Sequence, residues 1–469
     1  MASDEKDNSS TSFEVDENKI SLSESELKAA KRCIYKNLLI IGLSWVFLFT
    51  AYNSIANLQS SLNSDAGLGT IGLSITYVCF ILSCLLLPTI MIKNLGIKLT
   101  IFVCQLSYIL YIGLNIYPRY FTLIPSAAIL GLGAGPLWTA QSTFLTDLGT
   151  HFAKLSGETP ELVINRFFGI FFAIFQSSQI WGNLVVSLVL KSGNSGNETT
   201  QNVSHCGRND NPWTQTSPIK KPNQLSVYIL CAIFIVCAFV GAFLILIFID
   251  KYRKIGLVHS KEENKSPIQL ILNTLKHIKD TNQLLLIPIT VWLGFEQAYF
   301  LADFTKSFIS CIRGVDYVGY VMIVYGVSST IGSYGFGYMI KLVGRQISFS
   351  LAAILNYAAI LLQIFWEPSF KGSYVLFIVA VMWGITDAAW NTQISAFYGV
   401  IFKSNEEAAF SNLKLWQSVG SAISFAYSNF IGTNVKLYLL IAYLTLGMTG
   451  YAIVEFRLKK KDNSSVSNS

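Results

Sequence analysis

The chain has 469 residues, of which 13% are charged and 52% hydrophobic, whereas an ordinary soluble domain carries about 25% charged residues. The formal charge of +7 is spread over short basic clusters between apolar runs, which excludes the basic stripe of a nucleic-acid-binding surface. With 32 Phe, 22 Tyr and 9 Trp, the composition points to an all-α membrane protein whose rings settle at the bilayer interfaces.

Residues 1–36 are polar and lack the apolar core of a secretory signal, so they read as a disordered cytosolic tail. Apolar runs of the bilayer-spanning length, about 20 residues, follow in order. The first set is 37–58, 69–92, 99–117, 122–146, 167–190 and 225–248. The second is 285–304, 315–340, 348–366, 373–400, 408–431 and 437–456. The expected layout is an N-terminal six-helix bundle at 37–249, a cytosolic linker at 250–284, a C-terminal six-helix bundle at 285–456 and a cytosolic tail at 457–469. Within the linker, residues 267–279 have the apolar spacing of an amphipathic helix lying along the membrane surface.

Lys and Arg concentrate in the segments that are inside when the N-terminus is cytosolic, among them Lys93, Lys98, Lys251–Lys254, Lys341, Arg345 and Arg457–Lys461. That bias places both termini in the cytosol. The loop at 191–224 is then outside, in agreement with its glycosylation sequons at Asn197 and Asn202. Six of the eight cysteines lie in or beside spans, where they serve as small apolar residues. Cys206 and Cys311 fall in outer loops and are either a disulfide tying the two halves together or two free thiols.

Matching places in the two sets of spans carry matching residues. Met91-Ile-Lys-Asn-Leu-Gly96 corresponds to Met339-Ile-Lys-Leu-Val-Gly344, Trp138-Thr-Ala-Gln141 to Trp390-Asn-Thr-Gln393, and Phe175-Gln-Ser177 to Trp416-Gln-Ser418. Six plus six helices around a cytosolic connector resembles the layout of the major facilitator superfamily. The turns at Gly96 and Gly344 resemble that superfamily's inner-loop motif. Lys93 and Lys341 stand where the motif has Asp, and Thr89 stands where its first Gly belongs. Losing the acid twice argues against ordinary alternating access.

Ionisable groups within spans are costly and mark function by default. Glu296 and Asp387 are the central ones. They form either a proton or cation site in the second half, or hydrogen-bonded acids that fix helix packing. Gly135 takes the place of Asp387 in the first copy of the repeat, and no acid appears within the first-half spans before Asp147. Lys414, Arg166, Asp303 and Glu455 lie near span ends and are expected to snorkel to the interface. Trp138, Gln141, Trp390 and Gln393 read either as a substrate site, with π-faces and amide donors, or as a structural device copied by duplication. Tyr317-Val-Gly-Tyr320 lacks the neighbours of a potassium filter, and no phosphate-binding Gly-rich loop is present. The four histidines are scattered, so no metal, cofactor or catalytic constellation is expected and the chain does not read as an enzyme.

Several runs resemble the uncoordinated-ninety-three family, closest to its homolog A branch. These are Leu48-Phe-Thr-Ala-Tyr52, Asn57-Leu-Gln-Ser-Ser-Leu62, Phe121-Thr-Leu-Ile-Pro125, Leu130-Gly-Leu-Gly-Ala-Gly-Pro-Leu-Trp138 and Phe168-Gly-Ile-Phe-Phe-Ala-Ile-Phe-Gln-Ser177. Shorter ones are Val318-Gly-Tyr-Val-Met-Ile323, Trp383-Gly-Ile-Thr-Asp387 and Val435-Lys-Leu-Tyr438. The resemblance implies a major facilitator fold of twelve transmembrane helices in two six-helix pseudo-repeats. It further implies a protein that acts on membrane partners: one branch regulates a two-pore-domain potassium channel, and another escorts Toll-like receptors to endosomes. It carries over no catalytic residues and no substrate. The expected function is regulation of a potassium channel or escort of membrane proteins, with the plasma membrane as default and endosomes as second location. The competing expectation is a secondary solute transporter of unknown small-molecule substrate.

Overall fold

In the computed structural model, the described residues are 23–62, 68–190, 203–211, 224–250, 267–314, 316–428 and 430–466; they form helices and connecting turns, with no strand among them. The helices are α1 (Glu24–Leu62), α2 (Leu68–Leu86), α3 (Pro88–Leu114), α4 (Tyr120–Ser156), α5 (Pro160–Leu190) and α6 (Gln224–Phe248). After them come α7 (Pro267–His277), α8 (Thr281–Ala298), α9 (Asp316–Val343), α10 (Arg345–Phe365), α11 (Tyr374–Ile401), α12 (Glu406–Ser428) and α13 (Thr433–Val466).

Local chemistry sets the ends. Pro88, Pro160 and Pro267 open α3, α5 and α7, where the missing N–H costs no hydrogen bond. Asp280 caps α8 by accepting from the backbone N–H groups of Asn282 and Gln283. Gly96 and Gly344 turn the chain into the second part of α3 and into α10, with φ of 73° and 79°, a region in which a Cβ is strained.

Among the described residues, nine helices are long and apolar enough to cross a bilayer: α1, α3, α4, α5, α6, α8, α10, α11 and α13. The helices α2, α9 and α12 fall short of that apolar length. In α12 the cause is visible, since Ser411, Asn412, Lys414, Ser418, Ser421 and Ser424 are all buried polar residues.

The expected disordered tail at 1–36 is corrected in part, and the expected cytosolic tail from 457 is helical in part. Residues 24–36 already belong to α1, because Ile34 and Leu38 pack fully into the core and Glu24 pairs with Lys28 one turn on. At the other end α13 continues through the expected tail from 457 as far as Val466. The span expected at 285–304 also runs on: α8 continues as a π-helical stretch, Tyr299–Ser310, and a last turn to Arg313.

α5 lies along α9, and α2 along α12; these two seams join the helices before α7 to those after it. Small residues permit the approach. A Cβ on Gly169 of α5 would fall 2.4 Å from the Gly337 Cα of α9, and one on Gly131 of α4 would fall 2.3 Å from the Thr76 carbonyl of α2. The short α7 docks beneath α12, where Asn412 Nδ2 donates to the Thr274 carbonyl at 3.0 Å and His277 meets the Phe402 ring at 4.7 Å.

Candidate functional site

Asp387, midway along α11, is the focus of a buried polar network. Its Oδ1 accepts from Gln297 Nε2 of α8 and Asn391 Nδ2 of α11, both at 2.8 Å. Its Oδ2 accepts from Gln176 Nε2 of α5, from Tyr325 Oη of α9 at 2.9 Å, and more weakly from Ser329 Oγ at 3.4 Å. A carboxylate offers about four lone-pair sites, so these donors saturate it.

The network continues away from Asp387. Gln297 Oε1 accepts from Gln417 Nε2 of α12 at 2.8 Å, and Gln417 Oε1 accepts from Lys414 Nζ at 2.8 Å. The Lys414 ammonium then sits 4.8 Å over the Trp138 ring of α4. Trp138 meets Phe175 edge-on at 5.4 Å, and Phe175 precedes Gln176. The contacts therefore close into a ring that passes through α4, α5, α11, α8 and α12. One negative and one positive charge face the same ring without touching, linked through two Gln amides.

Glu296, one residue before Gln297, is fully buried, and among the described residues neither of its oxygens receives a hydrogen bond. It lies within electrostatic reach of Asp387. The structure thus brings the two acids named from the sequence together, in opposite environments.

The repeated Trp and Gln residues do not share one site. Trp138 belongs to the ring. Trp390 is fully buried against α10, where its indole N–H donates to Asn356 Oδ1 at 2.6 Å. Gln393 donates to the Phe336 carbonyl of α9 at 2.8 Å, a packing contact. Gln141 is fully buried and accepts from Ser142. Two residues of the third repeated motif, Gln176 and Gln417, were not singled out from the sequence, yet both belong to the network. Their repetition in equivalent motifs was the available signal.

Four ionic residues expected to snorkel do not. Lys414 is 5% exposed and held as above. Asp303 and Lys436 form a buried ion pair at 2.6 Å, with Ser428 donating to the same carboxylate oxygen. Arg166 pairs with Glu158. Glu455 binds Arg345, which also reaches Glu161 of α5 at 2.5 Å and lies over the Phe397 ring. Each finds a protein partner, on its own helix, in an adjoining turn or on a neighbouring helix, and that partner replaces the water that snorkelling would seek. Arg345 follows Gly344 in the loop motif. Glu161 and Glu455 supply the acids beside it, although the loop's own acid position is Lys341. The Arg166 hydrogen bond holds the Glu158 carboxyl below its ordinary value, with the charge of Lys341 adding to the effect.

Cys206 and Cys311 are joined as a disulfide, which pins the turn at 203–211 to the end of α8. Asn197 and Asn202 lie outside the described residues. A groove of about 610 Å³ opens on the flank between α10 and α13, lined by Tyr357, Thr445, Met448, Thr449, Ile453 and Phe456. Asp387 does not line it.

Comparison with known proteins gives this arrangement a family. Residues 59–452 match a family profile described as ion channel regulatory protein UNC-93. The chain is 40% identical to the unc-93 homolog A protein of Xenopus laevis, over 90% of this chain and 93% of that protein. It is 36% identical to the homolog A protein of Homo sapiens, over 90% and 93%. A Caenorhabditis elegans unc-93 protein, by its name a candidate potassium channel regulatory protein, is 34% identical over 91% of this chain and 61% of its own length. Among solved structures, the transporter FucP in its outward conformation aligns with a TM-score of 0.60 at 16% identity, over 90% of this chain and 99% of that one. The human organic anion transporter MFSD10 aligns at 0.59 and 12%, with the same coverage. These two establish the fold alone, that of the major facilitator superfamily. The chain belongs to the UNC-93 family of multi-pass membrane proteins.

Proposed function

We propose that this chain regulates an ion channel in the membrane it spans, acting by contact with the channel. The observation that carries the reading is the match of residues 59–452 to a family of ion channel regulatory proteins. The centre of the bundle agrees with it: protein donors occupy both oxygens of Asp387 and Lys414 is held by Gln417 and Trp138, so the polar groups that would bind a solute bind one another. A potassium channel is the partner class, following the name of the nematode relative, with a two-pore-domain channel as the specific candidate. The role is non-enzymatic.

The reading includes twelve membrane-spanning helices in two six-helix halves, both termini cytosolic, and the plasma membrane as location. The helices α2, α9 and α12 supply the three further spans, each packed against other helices of the bundle. The near-identical backbone angles at Gly96 (φ 73°, ψ 163°) and Gly344 (φ 79°, ψ 167°) support the duplication. Glycans at Asn197 and Asn202 belong to the same reading.

The test is potassium current in cells expressing a two-pore-domain channel, with and without the chain, at equal channel density on the surface. A change in current per channel is the expected result, and no change across several such channels contradicts it. The second reading, a solute transporter, is favoured by the likeness to transporters in fold and by the charged Lys414 at the centre. Concentrative solute uptake by reconstituted chain would establish it instead.

A further inference from the structure

We propose that the Glu296 carboxyl is a binding site for one exchangeable proton, buried at the centre of the bundle. The inference stands apart from the channel reading, since it concerns the occupancy of one side chain whichever partner the chain serves. Three observations carry it.

Glu296 is 0% exposed, and among the described residues no donor reaches either of its oxygens. An ionised carboxylate stripped of water needs donors or a cation in contact; without them the interior favours the neutral acid. The indole N–H of Trp383 lies near it without the geometry of a hydrogen bond.

Asp387, beside it, has the reverse surroundings. Gln176, Gln297, Tyr325, Ser329 and Asn391 all donate to its two oxygens. Donors directed at a carboxylate stabilise its charged form. Lys414, two amides away, is the cation whose field reaches it.

The third observation concerns charge. Asp387 lies within electrostatic reach of Glu296. Two negative charges within reach of one another in a water-free interior disfavour ionisation of both. Two interacting acids titrate as a pair, and the five donors on Asp387 assign the first proton to Glu296.

The surroundings on every packed element agree. α9 brings Tyr325 and α12 brings Lys414; Tyr427 of α12 and Tyr443 of α13 stack on Phe295. Asp303, further along the same helix, is neutralised by Lys436. With Glu296 neutral, Asp387 and Lys414 balance. Proton release, Glu296–COOH to Glu296–COO⁻ plus H⁺ to water, leaves one uncompensated negative charge in the centre.

The test is infrared difference spectroscopy on the full chain in lipid nanodiscs. The expected result is a protonated-carboxyl C=O band at neutral pH that shifts in D2O, is lost in Glu296→Gln, and is unchanged in Asp303→Asn. Survival of the band in Glu296→Gln, or its absence from the unsubstituted chain at mildly acidic pH, overturns the proposal. Should Glu296→Gln fail to fold, titration of the unsubstituted chain decides: the band must disappear with rising pH as one proton leaves per chain. Loss of the band on adding sodium or potassium at fixed pH would identify a metal-cation site and overturn the proton assignment.

Discussion

Buried charge in this chain is handled in two ways. Asp303 and Lys436 touch directly, 1% and 2% exposed, whereas Asp387 and Lys414 are separated by Gln297 and Gln417. Removing one member of a direct buried pair strands the other, so Lys436→Met is expected to cost about 3–5 kcal/mol. The double variant Asp303→Leu with Lys436→Met is expected to recover much of that loss, as read by thermal melting in detergent. A single variant as stable as the unsubstituted chain would contradict the ion-pair account. At this scale the sequence disclosed the acids but not their partners. Glu296 and Asp387 stand out because acids within apolar runs are rare. Lys414 and Asp303 were misread as snorkelling because distance from a span end says nothing about which flank of the helix a residue occupies. Gln176 and Gln417 went unselected because an uncharged amide in a span carries little signal by itself.

Among the elements, the α5–α9 seam is an exacting one. Gly169 and Gly337 oppose one another so closely that either Cβ would meet backbone, which cannot move aside as a flexible side chain could. Gly337→Val is expected to abolish the folded chain or sharply reduce it, measured as the monodisperse fraction after detergent extraction. Gly335→Val, two residues earlier with open space around it, is expected to be tolerated. Equal behaviour of the two would remove the packing argument. Helix positions were legible from apolar length, which fixes where a chain crosses a bilayer. The extension of α1 back to Glu24, the π-helical continuation of α8 and the run of α13 to Val466 were not, because these stretches are stabilised by packing and by neighbouring turns that hydropathy does not record. The loop motif illustrates the same limit. Its missing acid was legible, while the acids that meet Arg345 come from α5 and α13, far away in sequence.

At the scale of the whole molecule, ion pairs gather where α1 begins and α13 ends. There Arg345 ties α10 to α5 and α13, and Arg166 ties α5 to the turn at Glu158. Because the carboxyl of Glu158 is held below its ordinary value, its contribution is present above the unfolded value and fades as pH falls through the folded one. The pair is partly exposed, with side-chain exposures of 15% and 33%, so Glu158→Gln is expected to cost under about 1 kcal/mol at neutral pH. Melting curves at neutral and acid pH should show that difference shrinking in acid; a difference that grew would reverse the assignment.

The fold is shared with transporters while the family is one of channel regulators, and the polar ring around Asp387 is where the two descriptions meet. If the ring sets the shape that a channel recognises, disturbing Asp387 must disturb regulation without removing the protein from the membrane. The direct measurement is potassium current through a two-pore-domain channel co-expressed with the unsubstituted chain or with Asp387→Asn, at equal surface amounts of both proteins. The account predicts that the variant loses most of the effect on current. A variant that regulates as fully as the unsubstituted chain would contradict it.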